Sequence, residues 1–459
     1  MSLGSSIRLK HRPSLAFLLL CGFMAVLWLA GGASRADVMG QVVVRAAAWG
    51  AMIAALLGGV RIDLSVVRVP LILLTAALAL VLLQLIPLPP AIWQSLPGRA
   101  LLAQPALIAG VPQPWRPLAI VPDLTVNAAS SLIVPFVILL LVGGVTEKER
   151  ALLPSILLGL VTVSMLVGLL QFSGVIFDHP LVNDTPGDVN GGFANRNHLA
   201  LFLAIGIILS PAWVFNRERY AQWRVPIGLG SILLFILTIL ATGSRTGMLL
   251  GALALLVGLL LAKNGIRKVL GRAPRWVLPA ILVAIVVIVA IFVTLSIAAD
   301  RAASINRAFD LDTSQDMRTR GLPTVLSMIA AYFPAGSGFG GFDPLFRIHE
   351  PFALLRPTYF NRAHNDFLEI VLDGGLAGLT LLVCAVLWWA VWSVRVWHGG
   401  PSTARLGSGI LLLVLVASVS DYPARTPMIM ATISLAAVWL YQGSRSAKRS
   451  TLPVRNQRL

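Results

Sequence analysis

The chemistry in this chain rests on one histidine and a handful of arginines set among apolar residues. His364 lies in NRAHNDFLEIVLDGG, Asn361 to Gly375. A histidine at the mouth of a helix, near arginines and carboxylates, is a candidate general base or proton shuttle. Arg245 sits in Ser244-Arg245-Thr246-Gly247, where serine and glycine suit a tight reversal between helices. The turn leaves the arginine unexplained. A guanidinium at a membrane boundary needs a headgroup or another anion, and its planar fork suits phosphate. Arg318 and Arg320 end the charged run Asp310 to Arg320. Two apart on a helix, they point in different directions, so only one is expected to reach a given site. A solvated charged face is the plain alternative. Asn195-Arg196-Asn197-His198 joins a helix-capping asparagine to an arginine placed to meet phosphate.

Most of these residues lie in a polar island, roughly Ala299 to Gly375. A chain this apolar keeps polar groups together only where water, a substrate or a partner satisfies them. The island also holds Arg362, His349 and the run GSGFGGF, Gly336 to Phe342. Glycine-rich loops can offer backbone N–H groups to phosphate. No preceding strand or Walker lysine accompanies this one, so it is not a nucleotide loop. Asp366 and Glu369 have the spacing of a capping box for the following helix, which sets them apart from the catalytic candidates. Further on, Asp421-Tyr422-Pro423-Ala424-Arg425-Thr426-Pro427 breaks the chain, and Asp421 and Arg425 are spaced to pair with each other. Neither the two cysteines nor the acidic residues show metal-ligand spacing, so no metal or cofactor is expected.

The elements that must position these groups are membrane helices. Of the 459 residues, 57% are hydrophobic and 12% charged, whereas soluble domains carry about a quarter charged residues. Runs long enough to cross a core of about 30 Å fall near 14–31, 38–60, 69–87, 124–144, 151–174, 197–216, 225–242, 245–262, 276–298, 366–394, 406–420 and 424–442. With both termini inside, 22 of the 36 basic residues but only four of the 19 acidic ones fall on the cytoplasmic side. This bias supports twelve spans and puts the island outside. The same dispersal of basic residues argues against nucleic acid, despite a net charge of +17. Between the third and fourth spans, Pro87 to Gln104 carries prolines that exclude a continuous helix and apolar residues that suit the membrane interface. The expected architecture is all-α: helices over 1–298, an outer loop at 299–365 with short helices, further helices over 366–442, and a basic tail at 443–459.

Four features give the chain a family likeness: NRNHLALF entering a span, the SRTG turn, the large loop before the tenth span, and AHNDFLEIVLDGGLAGL. In these it resembles the O-antigen ligase/polymerase family of bacterial inner membranes. PAGSGFGGFDPLFRIHEP and SDYPARTP resemble its polymerase-like branch. The resemblance implies a GT-C-like fold and a metal-independent, inverting glycosyl transfer on the periplasmic face. The implied donor is a glycan on undecaprenyl diphosphate. The acceptor is another lipid-linked glycan, lipid A-core or a protein hydroxyl, and other polysaccharide-assembly proteins are candidate partners. By the same likeness His364 would activate or orient the acceptor, while Arg245 and Arg318 would hold the departing diphosphate. Arg320 is the alternative to Arg318. Arg196, Arg362 and Asn365 are candidate substrate contacts. A transporter or flippase for lipid-linked glycans is the competing class. Its ionisable residues should lie at mid-membrane depth, and here they collect in outer loops.

Overall fold

Ser14 begins the first helix by accepting the Phe17 amide, and the Glu149 carboxylate fastens Ser14 from across the structure at 2.7 and 2.9 Å. Such polar ties at helix ends frame the fold, a computed structural model. It describes residues 12–175, 179–215 except 184 and 186, 221–271, 317–355 and 360–450, with scattered positions between 274 and 294. The helices are α1 (Leu15–Ala30), α2 (Met39–Leu57), α3 (Arg68–Leu83), α4 (Pro90–Trp93), α5 (Ala100–Ile108), α6 (Pro122–Ser131), α7 (Ile133–Gly144), α8 (Glu147–Arg150) and α9 (Leu153–Phe172). They continue with α10 (Arg196–Phe215), α11 (Ala221–Ala241), α12 (Arg245–Leu270), α13 (Met317–Tyr332), α14 (Phe342–His349), α15 (Asp366–Gly399), α16 (Ser402–Ala417) and α17 (Pro427–Ser450).

Among the described residues, seven helical stretches are long and apolar enough to cross a membrane, and α1, α3, α16 and most of α17 are shorter apolar helices. The protein is therefore an all-α, multi-pass membrane protein. The span expected at 276–298 and the start of the outer loop at 299–316 lie mostly or wholly outside the described residues. The expected span at 124–144 forms in two pieces, α6–α7, while that at 151–174 is the single helix α9.

Helix α10 is the core. Nearly every side chain from His198 to Pro211 is buried, and the helix packs on α9, α11, α12 and α16. Small residues permit this closeness, as in other membrane bundles. A methyl group on Gly247 would meet the Ala200 Cβ at 2.4 Å, and one on Gly407 would meet the Ala436 carbonyl oxygen at 2.3 Å.

Helix α15, expected to be continuous, is broken at Gly375 (φ 57°, ψ −144°). The glycine-rich run and the residues just before it cover the break. Leu376 donates its N–H to the Pro334 carbonyl at 2.9 Å, Ser337 to that of Leu372 at 2.9 Å and Gly338 to that of Asp373 at 3.0 Å. Phe339 donates to Gln84 Oε1 and Gly340 to Asp373 Oδ2. These amides are consumed by protein, so the run is a clamp on the broken helix and not a phosphate loop.

Candidate active site at Asp421

Helices α10, α13, α15 and the α16–α17 turn bring their polar ends to one buried carboxylate. Asp421 has a side chain 2% exposed. Its Oδ2 accepts Asn195 Nδ2 at 3.0 Å and Asn197 Nδ2 at 2.6 Å, and Oδ1 accepts the Tyr422 N–H at 3.0 Å. Arg318 Nη2 stands 3.6 Å from Oδ2, His364 Nδ1 3.5 Å from Oδ1 and His198 Nε2 3.9 Å from Oδ1. Burial alone would raise this carboxyl, but the His364 contact and the charges of His198 and Arg318 hold it well below the usual range. Asp421 is therefore an anion at neutral pH. Burial, and then the charge of Asp421, push the neighbouring Tyr422 hydroxyl up to about 12, so it stays neutral.

His364 is held tightly. Among the described residues it is the only non-glycine with positive φ, at 49°, a conformation that a side chain adopts only when its surroundings compel it. On one side the Ala363 N–H donates to Glu369 Oε2 at 3.0 Å. On the other, Asn365 accepts the Leu368 amide and donates to the Val419 carbonyl, while Asp366 N–H donates to the Ser418 carbonyl. The ring packs between Phe360 and Tyr422. Nδ1 is buried and faces Asp421 without a hydrogen bond to it, and among the described residues Nε2 makes none either.

A second charged network stands behind the histidine. Arg425 contacts Asp366 at 3.4 Å, Glu369 at 3.2 Å and Asp373 at 3.9 Å, and Arg362 pairs with Glu369 at 3.0 Å. Although burial opposes it, the three carboxylates hold Arg425 firmly protonated. Two expectations are corrected here. The cap of α15 is Asn365, one residue before the expected capping box, and Asp366 and Glu369 face Arg425. Asp421 and Arg425 do not pair, because the 3-10 turn Pro423–Arg425 directs them into different networks.

The sequence candidates fall into distinct places. Arg318 joins His364 at Asp421, while Arg320 Nη2 donates to the Ala353 carbonyl at 2.9 Å. Arg245 stands exposed at the head of α12, between two anchors. Ser244 Oγ donates to Asn197 Oδ1 at 2.7 Å, and Thr246 Oγ1 lies 3.0 Å from Ser420 Oγ. The SRTG turn is thus tied to both segments that hold Asp421. Arg196 lies 3.8 Å from Asp188, Arg362 pairs with Glu369, and Asn365 caps α15. Among the described residues no group of three or more His, Cys, Asp or Glu side chains has metal-holding geometry. Sequence reasoning missed Asp421 as the hub and His198 as its second histidine. The available signal was two polar breaks, NRNH and DYPAR, in chains of apolar residues that must come together to satisfy each other.

Residues 229–383 match the family model described as O-antigen ligase. This segment holds Arg245, Arg318 and His364, whereas Asn195–His198 and Asp421–Arg425 lie outside it. No curated protein matches the chain. Over that segment, the chain is similar to the O-antigen ligase family.

Proposed function

We propose that this protein transfers or polymerises glycans from an undecaprenyl-diphosphate donor at the periplasmic face of the bacterial inner membrane, with inversion and without a metal. The observation that carries the reading is the meeting of His364 and Arg318 at the ionised Asp421. Asp421 orients the imidazole through Nδ1 and leaves Nε2 to take the proton of an acceptor hydroxyl. The hydroxyl oxygen bonds to the sugar C1 while the bond from C1 to the diphosphate oxygen breaks. The electron pair leaves with the diphosphate, where Arg318 and Arg245 stabilise the charge that develops. Asp421 also favours the imidazolium formed, as the carboxylate of a catalytic triad does. No covalent glycosyl-enzyme is required.

Both termini lie in the cytoplasm on this reading, and α13, α14 and the glycine-rich clamp lie outside. The polymerase-like sequence features favour extension of a lipid-linked glycan over transfer to lipid A-core or to a protein hydroxyl. Deleting the gene and analysing the glycans tests this. Loss of long chains with one repeat retained marks a polymerase, and loss of every repeat from lipid A-core marks a ligase. Loss of glycan from protein alone marks a protein O-oligosaccharyltransferase. Unchanged glycans would overturn the proposal.

A further inference from the structure

Between α3 and α6 the chain makes an excursion built on a two-residue antiparallel ladder, Pro87–Leu88 with Arg116–Pro117. Helix α5, Ala100–Ile108, forms its tip. This helix has no polar side: Gln104 is its one polar residue, and Leu101, Leu107 and Ile108 are exposed. Ile108 is 86% exposed, Leu107 69% and nearby Trp115 64%. A helix that is apolar all round needs apolar surroundings, and the protein supplies almost none.

Charge and length identify what covers it. From Leu85 to Pro122 there is no acidic residue, and the basic ones are Arg99 and Arg116. Both turn inward. Arg99 is buried and donates to the Leu118 carbonyl at 2.8 Å and the Gly336 carbonyl at 2.9 Å, while Arg116 packs over the Trp93 ring. A soluble partner would meet a surface without a single exposed charge to orient it. Acyl chains ask for nothing else. The exposed apolar residues also continue from the apolar helix α3 (Leu82, Leu83) through Ile86 and Ile92. Nine residues of helix reach about 13 Å, less than half a core of about 30 Å, so the element enters one leaflet and returns.

We propose that α5 and its flanks to Trp115 dip into the acyl region of the leaflet on the side of the candidate site. Its base is fastened to the clamp on α15. Arg99 bonds the Gly336 carbonyl, and a Cβ on Gly98 would lie 2.4 Å from the Tyr332 ring. The hairpin therefore sets the depth of the clamp, and with it the break in α15, relative to the lipid surface. The inference stands independently of the glycosyl transfer proposed above.

The test places nitroxide labels at Leu107→Cys and Ile108→Cys in a Cys21→Ala, Cys384→Ala background. The protein is reconstituted in vesicles of phosphatidylethanolamine and phosphatidylglycerol. Collision with oxygen should exceed collision with a water-soluble nickel chelate several-fold at both positions, with the reverse at a Lys148→Cys control. Nickel accessibility matching the control would overturn the proposal. So would protection from both reagents, which would mean protein cover by a second copy. In the unsubstituted protein, a lipid carrying a diazirine on its acyl chain should label the peptide containing residues 100–115. Absence of label there, with the spanning helices labelled, would also overturn it.

Discussion

His364 Nδ1 and Asp421 Oδ1 stand 3.5 Å apart, although the two residues belong to segments separated by helices α15 and α16. Replacing Asp421 with Asn should leave the side-chain volume and remove the charge that orients the imidazole. Glycan output per unit of protein should fall by about 100-fold, the lower end of what a general base contributes. The same substitution has a pH signature. The folded Asp421 carboxyl lies below its unfolded value of about 3.9, so its stabilisation is full above that pH and is lost as pH falls below it. The difference in thermal midpoint between wild type and Asp421→Asn should shrink below about pH 4.

Arg318 and Arg320 should separate sharply. Arg318→Ala removes the guanidinium beside the Asp421 centre and should lower output by about 100-fold, the scale of losing one electrostatic donor at a transition state. Arg320→Ala removes an exposed hydrogen bond to the Ala353 carbonyl, and its cost should stay at or below about 0.5–1.5 kcal/mol of loop stability. Quantifying glycan and membrane-inserted protein together distinguishes the two.

Glu369→Ala should be a folding defect. It strips a buried carboxylate from Arg362, Arg425 and the Ala363 N–H, and breaking such a network by removing one partner costs about 3–5 kcal/mol. Asp343→Ala, at the exposed pair with Arg347, should cost about 0.3–0.5 kcal/mol. Thermal unfolding of both variants in detergent checks the contrast.

Gly375→Ala addresses the break in α15. A Cβ there would lie 2.1 Å from the Pro334 carbonyl oxygen, and the backbone region is open almost only to glycine, at a cost of about 1–3 kcal/mol for other residues. Folded yield should drop. Gly159→Ala, with open space around the added Cβ, should be neutral or slightly stabilising. Size-exclusion profiles of the two report the difference.

The helices were legible because apolar runs bounded by charge leave a membrane chain few alternatives. The candidate site residues stood out for the same reason: Arg245, Arg318 and His364 are costly near a membrane unless something satisfies them. What could not be read was which long-range partners do so. Asp421 and Arg425, four apart, suggest a local pair, and only the 3-10 turn between them sends each to a different helix. Asp366 and Glu369 fit a capping pattern one residue out of register with the cap that forms. The glycine run hid its role because backbone amides carry no sequence signature of whether phosphate or a broken helix takes their bonds.

The most direct measurement of the account follows undecaprenyl diphosphate released by purified protein in proteoliposomes supplied with lipid-linked glycan. The His364→Ala variant is compared with wild type at equal protein and equal thermal midpoint. Release should fall by at least about 100-fold. Release at the wild-type rate would contradict the assignment of His364 as the base at the Asp421 centre.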